Sequence, residues 1–212
     1  GYGVRQDYLK AKEYYELASI QYNSSALYKL GIFYLNGKVV KQDYLKAIEY
    51  FESSAKLNNS DAINNLGYLY YKGQGFKQDY DKAKEYFETS SKLNNSNAFY
   101  NLAKMYYHGE GVKQDYSISL KYFEKSGIQN NSNALNNIGV LYYNGKGVKQ
   151  DYKKAKEYFE TSAKLNNSNA QNNLGYLYYN GEGIEQDYLK AKEYFELSAK
   201  QNNSDALNSI GI

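Results

Sequence analysis

The tripeptide Gln-Asp-Tyr recurs six times, beginning at residues 6, 42, 78, 114, 150 and 186, always 36 residues apart with no insertion or deletion. A fixed period of this length restricts a chain to a solenoid, propeller or array, in which each unit buries its apolar face only against its neighbours. The rhythm inside the unit chooses among these. In the stretch after Gln150, Tyr152, Ala155, Phe159 and Ala163 fall at helical spacing, with Lys153, Lys156, Glu157 and Glu160 on the other side. Asp151 stands where an N-cap belongs. Asn166 and Asn167 accept left-handed backbone and end the helix, and Ser168 or Asn169 is expected to cap the next. That second helix carries Ala170, Leu174, Leu177 and Tyr178 at helical spacing and closes at Gly181 and Gly183, with Ile184 as an apolar plug in the turn.

Each unit therefore reads as helix–turn–helix with connections of roughly four to seven residues. A glycine in mid-helix costs about 1 kcal/mol relative to alanine. Its return at Gly31, Gly67, Gly139, Gly175 and Gly211 predicts close approach of neighbouring helices. The alternating β-branched runs of propeller blades are missing. The expected fold class is all-α, a solenoid of 36-residue helix–turn–helix repeats. Residues 1–212 form a single array of about six repeats. The array opens inside a turn with Gly1-Tyr2-Gly3 and stops at Gly211-Ile212 in mid-helix, and so reads as cut at both ends.

Composition narrows the function. Cysteine is absent and histidine occurs once, which removes thiol nucleophiles and the usual Cys/His metal sets. Lysines alternate with glutamates and the net charge is +3, so nucleic-acid binding is not expected. No apolar run reaches the roughly 18 residues of a membrane span.

The pattern Ala134, Ile138, Gly139, Tyr142, Gly145, Gly147, Val148, Asp151, Ala155, Phe159 and Ala163 resembles the Sel-one-like repeat family, a relative of the tetratricopeptide repeat. The likeness spans essentially the whole chain. Departures are local: Val39 for the second turn glycine, Ala103 for the mid-helix glycine, and Ser117 to Leu120 with Gly127 in the helix that follows. The resemblance implies a right-handed α/α superhelix and a non-enzymatic adaptor without cofactor, with the first helix of each pair lining a concave face.

Carried over on the Leu-Gly pair, that face holds three rows. They are Tyr28, Asn64, Tyr100, Asn136, Asn172 and Asn208; Ser25, Asp61, Asn97, Asn133, Asn169 and Asp205; and Ile32, Tyr68, Lys104, Val140 and Tyr176. Beside them run Leu35, Tyr71, Tyr107, Tyr143 and Tyr179, and then Asn36, Lys72, His108, Asn144 and Asn180. Asparagine carries donors and an acceptor together, and a ladder of it is suited to clamping an extended peptide. Tyrosine adds amphipathic contact at low entropy cost. The competing reading is a solvated surface in an asparagine-rich chain. The copies diverge most between Phe99 and Leu120, which points to Phe99, Tyr100, Lys104 and His108 as partner-specific contacts.

Other motifs weigh toward structure. The Gly-x-Gly turns lack the Gly-Lys-Ser/Thr or the preceding strand of a phosphate loop. The repeated aspartates sit one per unit, too far apart to converge as paired acids, and read as caps. His108 closes a helix and has no nucleophile or orienting partner in the pattern. Asn23, Asn58, Asn94, Asn130, Asn166 and Asn202 each begin an Asn-x-Ser triplet. These are N-glycosylation acceptors in a secreted eukaryotic protein, or else turn chemistry copied with the repeat, and the copied turn is preferred. The function expected is a scaffold for a protein or extended peptide. The alternative is a subunit that stacks end to end, Ile210 and Ile212 meeting Tyr2 and Val4 of the next copy.

Overall fold

The computed structural model describes residues 7–210, and among these it places twelve α-helices. They are α1 (Tyr8–Ile20), α2 (Ser24–Asn36), α3 (Tyr44–Ala55), α4 (Ser60–Lys72), α5 (Tyr80–Lys92), α6 (Ser96–His108), α7 (Tyr116–Gly127), α8 (Ser132–Asn144), α9 (Tyr152–Lys164), α10 (Ser168–Asn180), α11 (Tyr188–Ala199) and α12 (Ser204–Ile210). The chain divides into two compact units, Gly1–Ala98 and Phe99–Ile212.

The Gln-Asp-Tyr motif joins one helix to the next through all three of its side chains. The aspartate N–H donates to a carbonyl near the end of the preceding helix, as Asp151 does to Tyr142 at 2.9 Å. Its carboxylate caps the following helix by accepting from the N–H three residues on, at 2.9–3.1 Å in all six copies. The glutamine side chain donates to one more orphan carbonyl, Gln150 to Tyr143 at 2.8 Å and Gln186 to Tyr179 at 2.7 Å. The motif tyrosine then meets that same neighbour edge to face, Tyr152 against Tyr143 at 5.3 Å.

The shorter link differs from expectation by one residue. Asn166 is left-handed (φ 62°), but Asn167 is extended and is itself the cap, accepting from the Ala170 N–H at 3.0 Å. Ser168 and Asn169, expected as caps, lie inside α10. The paired asparagines thus split two tasks, a left-handed backbone and a side-chain oxygen within reach of the first turn. The link shrinks to residues 165–167.

Packing follows the glycines. A Cβ on Gly31 or Gly139 would stand 2.5 Å from a ring carbon of Phe51 or Phe159. These phenylalanines are buried against helix backbone, Phe51 0 % and Phe159 1 % exposed. The expected plug residues fill the turns, with Phe76 stacked on Tyr70 at 4.0 Å. Serine does what the sequence pattern hid. Ser54, Ser90, Ser162 and Ser198 are fully buried and each donates at 2.7 Å to the carbonyl of the serine opening the preceding even-numbered helix, thirty residues back.

Candidate binding face

The even-numbered helices carry the predicted rows, and the asparagine row is spent on the fold. Asn64, Asn136 and Asn172 are only 7 %, 7 % and 6 % exposed, which corrects the expected open clamp. A residue in this row pairs with the residue 37 further on. Tyr28 bonds Asn65, Tyr100 bonds Asn137, and Asn136 accepts from Asn173 at 2.9 Å. Asn64 is engaged as well. Asn172 breaks the series. Its counterpart is Ser209, whose hydroxyl is held by the Tyr176 hydroxyl and the Asp205 carbonyl, both at 2.8 Å. The Asn172 Oδ1 is therefore buried without a partner.

The row beginning at Ser25 serves the stack too. Three of the cap asparagines reach back to it, Asn95 to Asp61 at 2.7 Å, Asn167 to Asn133 at 2.8 Å and Asn203 to Asn169 at 2.9 Å. This explains why the cap is asparagine: Oδ1 caps its own helix while Nδ2 grips the repeat before.

What the face offers to solvent is aromatic and cationic. Tyr68 is 37 % exposed and stacks with half-buried Tyr71 at 6.4 Å, with the Lys72 ammonium 5.2–5.9 Å from both ring centroids. In the second unit half-buried Lys104 lies 6.0 Å from the ring of half-buried Tyr100, which packs on Phe123. Half-buried Tyr107 meets Tyr116 edge to face at 5.2 Å, and exposed His108 lies beside it. Tyr143 and Tyr176 line a common pocket, and Tyr179 is 40 % exposed. Phe99, expected at the surface, is 8 % exposed and packs against Tyr122. An apolar side chain facing a neighbouring helix is core regardless of its divergence from the other copies.

The turn asparagines Asn58, Asn94, Asn130, Asn166 and Asn202 are exposed and left-handed, with φ between 58° and 62°. Asn23 is exposed but differs: its φ is −70°, and its Oδ1 accepts from the Ala26 N–H at 2.9 Å. Tyr22 takes the left-handed place there. The first copy is therefore no sixth member of the row, because its triplet starts one residue later in the turn. Of the residues named for end-to-end contact, Ile210 is 43 % exposed, and Tyr2, Val4 and Ile212 lie outside the described residues.

Two features escaped the sequence reading. Tyr34, Tyr70, Tyr106, Tyr142 and Tyr178 stack at 5.6–5.9 Å on Tyr50, Tyr86, Tyr122, Tyr158 and Tyr194 of the next helix. A tyrosine recurring at the same place in every copy was the available signal. Grooves open between successive odd-numbered helices. One of about 680 Å³ lies between α3 and α5, floored by Ile63 and Leu66, and one of about 360 Å³ lies beside α7, α8 and α9 at Leu135 and Ile138.

The Sel1 repeat matches residues 1–23, 24–59, 60–95, 96–131, 132–167 and 168–203. Among solved structures, a Sel1 repeat protein from Oxalobacter formigenes is similar with a TM-score of 0.88 at 28% identity, over 96% of this chain and 85% of that one. A protective antigen of uropathogenic Escherichia coli strains, displaying an SLR fold, gives 0.79 at 32% identity, over 98% of this chain and 44% of that one. No curated protein matches in sequence. No helix among the described residues is long and apolar enough to cross a membrane.

Proposed function

Because the chain belongs to the Sel1 repeat family, we propose that it is a non-catalytic scaffold that holds a partner protein or extended peptide on the face of its even-numbered helices. Sel1 repeat proteins are generally protein-interaction scaffolds. The observation that carries the reading is the contrast along that face: Asn64, Asn136 and Asn172 are buried, while Tyr68 and Tyr179 stay 37 % and 40 % exposed. Exposed, rigid aromatic rings are favoured contact residues in protein interfaces. The contact residues are then Tyr68, Tyr71, Tyr100, Lys104, Tyr107, His108, Tyr143, Tyr176 and Tyr179. Asn64, Asn136 and Asn172 act as the supports beneath them.

The test is quantitative affinity capture with the wild-type chain, a Tyr68→Ala/Tyr179→Ala variant and a Tyr100→Ala/Lys104→Ala variant, each checked for unchanged helicity. Partners lost from the variants support the reading. Equal recovery from all three counts against it.

A further inference from the structure

The second unit holds a pocket of about 210 Å³ between α8 and α10, with Phe159 and Val140 beneath and the rings of Tyr143 and Tyr176 as walls. Asn144, Asn173 and Asn180 complete the lining. Each of these carboxamides spends its amino group on the protein: Asn144 on the Val140 carbonyl at 2.9 Å, Asn173 on Asn136 at 2.9 Å, and Asn180 on Glu182 at 3.5 Å. Each keeps its oxygen as an acceptor, and Asn144 and Asn173 keep a second N–H beside it. At the rim, Glu182 Oε2 takes the Tyr143 hydroxyl at 2.5 Å. No lysine or arginine is among the lining residues. The pocket is therefore aromatic, rich in acceptors, and negative at its edge.

The protein itself shows what such a site accepts. Asn180 stands where the repeat three copies earlier has Lys72, and Tyr176 and Tyr179 stand where it has Tyr68 and Tyr71. In that earlier copy the Lys72 ammonium lies 5.2 Å from the Tyr71 centroid and 5.9 Å from that of Tyr68. In that copy a lysine of the chain covers both rings; at Tyr176, which lines the pocket, and Tyr179, which does not, the equivalent residue is asparagine. Lys146, in the turn after α8, is occupied over Tyr107 and Tyr116.

We infer that the pocket between Tyr143 and Tyr176 receives a basic side chain, lysine or arginine, of the partner polypeptide, its cation lying against the rings and donating to Glu182 and the asparagine oxygens. The inference rests on the scaffold reading and adds the chemistry of one contact. An ammonium brings three donors and a guanidinium five, which suits the carboxamide oxygens of the lining and the Glu182 carboxylate at its edge. Aromatic rings and a carboxylate attract the same charge.

The experiment uses the full chain with labelled tyrosine rings, followed by NMR. The probes are blocked pentapeptides Gly-Gly-X-Gly-Gly with X lysine, arginine or norleucine. Saturable shifts of the Tyr143 and Tyr176 rings in the millimolar range are expected with lysine and arginine and not with norleucine. Glu182→Gln weakens this binding about tenfold. Asn180→Lys abolishes it by restoring the internal cation, at an exposed position where the fold already tolerates lysine. Norleucine binding as tightly as lysine, or no ring shift with any probe, overturns the inference. So does a partner, once captured, that Glu182→Gln and Asn180→Lys retain fully. That last result leaves the scaffold reading standing, whereas loss of capture on Tyr68→Ala/Tyr179→Ala alone bears on the scaffold reading.

Discussion

Between α8 and α9, Gly139 lies against the ring of Phe159 and Ala155 sits fully buried beside them. Between α6 and α7, the same three places hold Ala103, Phe123 and Ser119. Ser119 is also fully buried, and its hydroxyl donates to the Ala103 carbonyl at 2.8 Å. The first crossing is held by close approach of ring to backbone. The second carries a methyl group where the first has none and adds a hydrogen bond from helix to helix. The lesson is that the departures from the repeat pattern come as a matched set. Ser117 to Leu120 do not break α7, which runs unbroken from Tyr116 to Gly127.

The comparison can be broken at several points. Phe159→Ala removes a side chain 1 % exposed and is expected to cost about 3–5 kcal/mol. Phe123→Ala costs less if the serine bond shares the work of holding its crossing. Urea midpoints of the two variants test this, and equal losses would show that the hydrogen bond contributes little. Next in size, Gly139→Ala places a Cβ 2.5 Å from the Phe159 ring and is expected to cost about 1–3 kcal/mol of overpacking. Ala103→Gly removes a methyl from a site built for it and costs about 1 kcal/mol. Hydrogen exchange in α8 and α6 reads each locally, and a neutral Gly139→Ala would mean that the crossing adapts freely. Ser119→Ala leaves the Ala103 carbonyl with only its helical partner, at about 0.5–1.5 kcal/mol.

The smallest effect is read by alkaline titration. Burial first, and then the stacked tyrosine neighbour, raises Tyr86, Tyr158 and Tyr194 above the ordinary 10.0. The folded state thus keeps these phenols neutral where the unfolded chain ionises. Their contribution to stability is complete below about pH 10 and is lost as pH rises through their folded values. Absorbance titration should show them ionising above 10.0, and ionisation at 10.0 would argue against the stacking.

The helix pairs, the aspartate caps, the glycine–ring crossings and the turn plugs were legible in the sequence because each depends on spacing within one unit. The asparagine rows were not. Their partners lie 34 to 37 residues away, and nothing inside one unit reveals the offset at which neighbours meet. Ser162 was passed over for a related reason: a hydroxyl reads as surface until the carbonyl that receives it, Ser132, is known. The open pocket was least legible of all. It depends on Asn180 where Lys72 might have been copied, a difference that matters only once both rings are seen beside it.

The contacts that tie one repeat to the next span 30, 34, 37 and 39 residues, from Ser162 to Ser132, Asn167 to Asn133, Asn173 to Asn136 and Tyr143 to Glu182. Every one is written relative to the period, not to an absolute place in the chain. A cut that removes 36 residues, or a duplication that adds them, brings equivalent donors and acceptors back into register at the seam. Length in such a molecule is counted in whole copies. Each added copy lengthens the row of even-numbered helices without asking the rest of the fold to change.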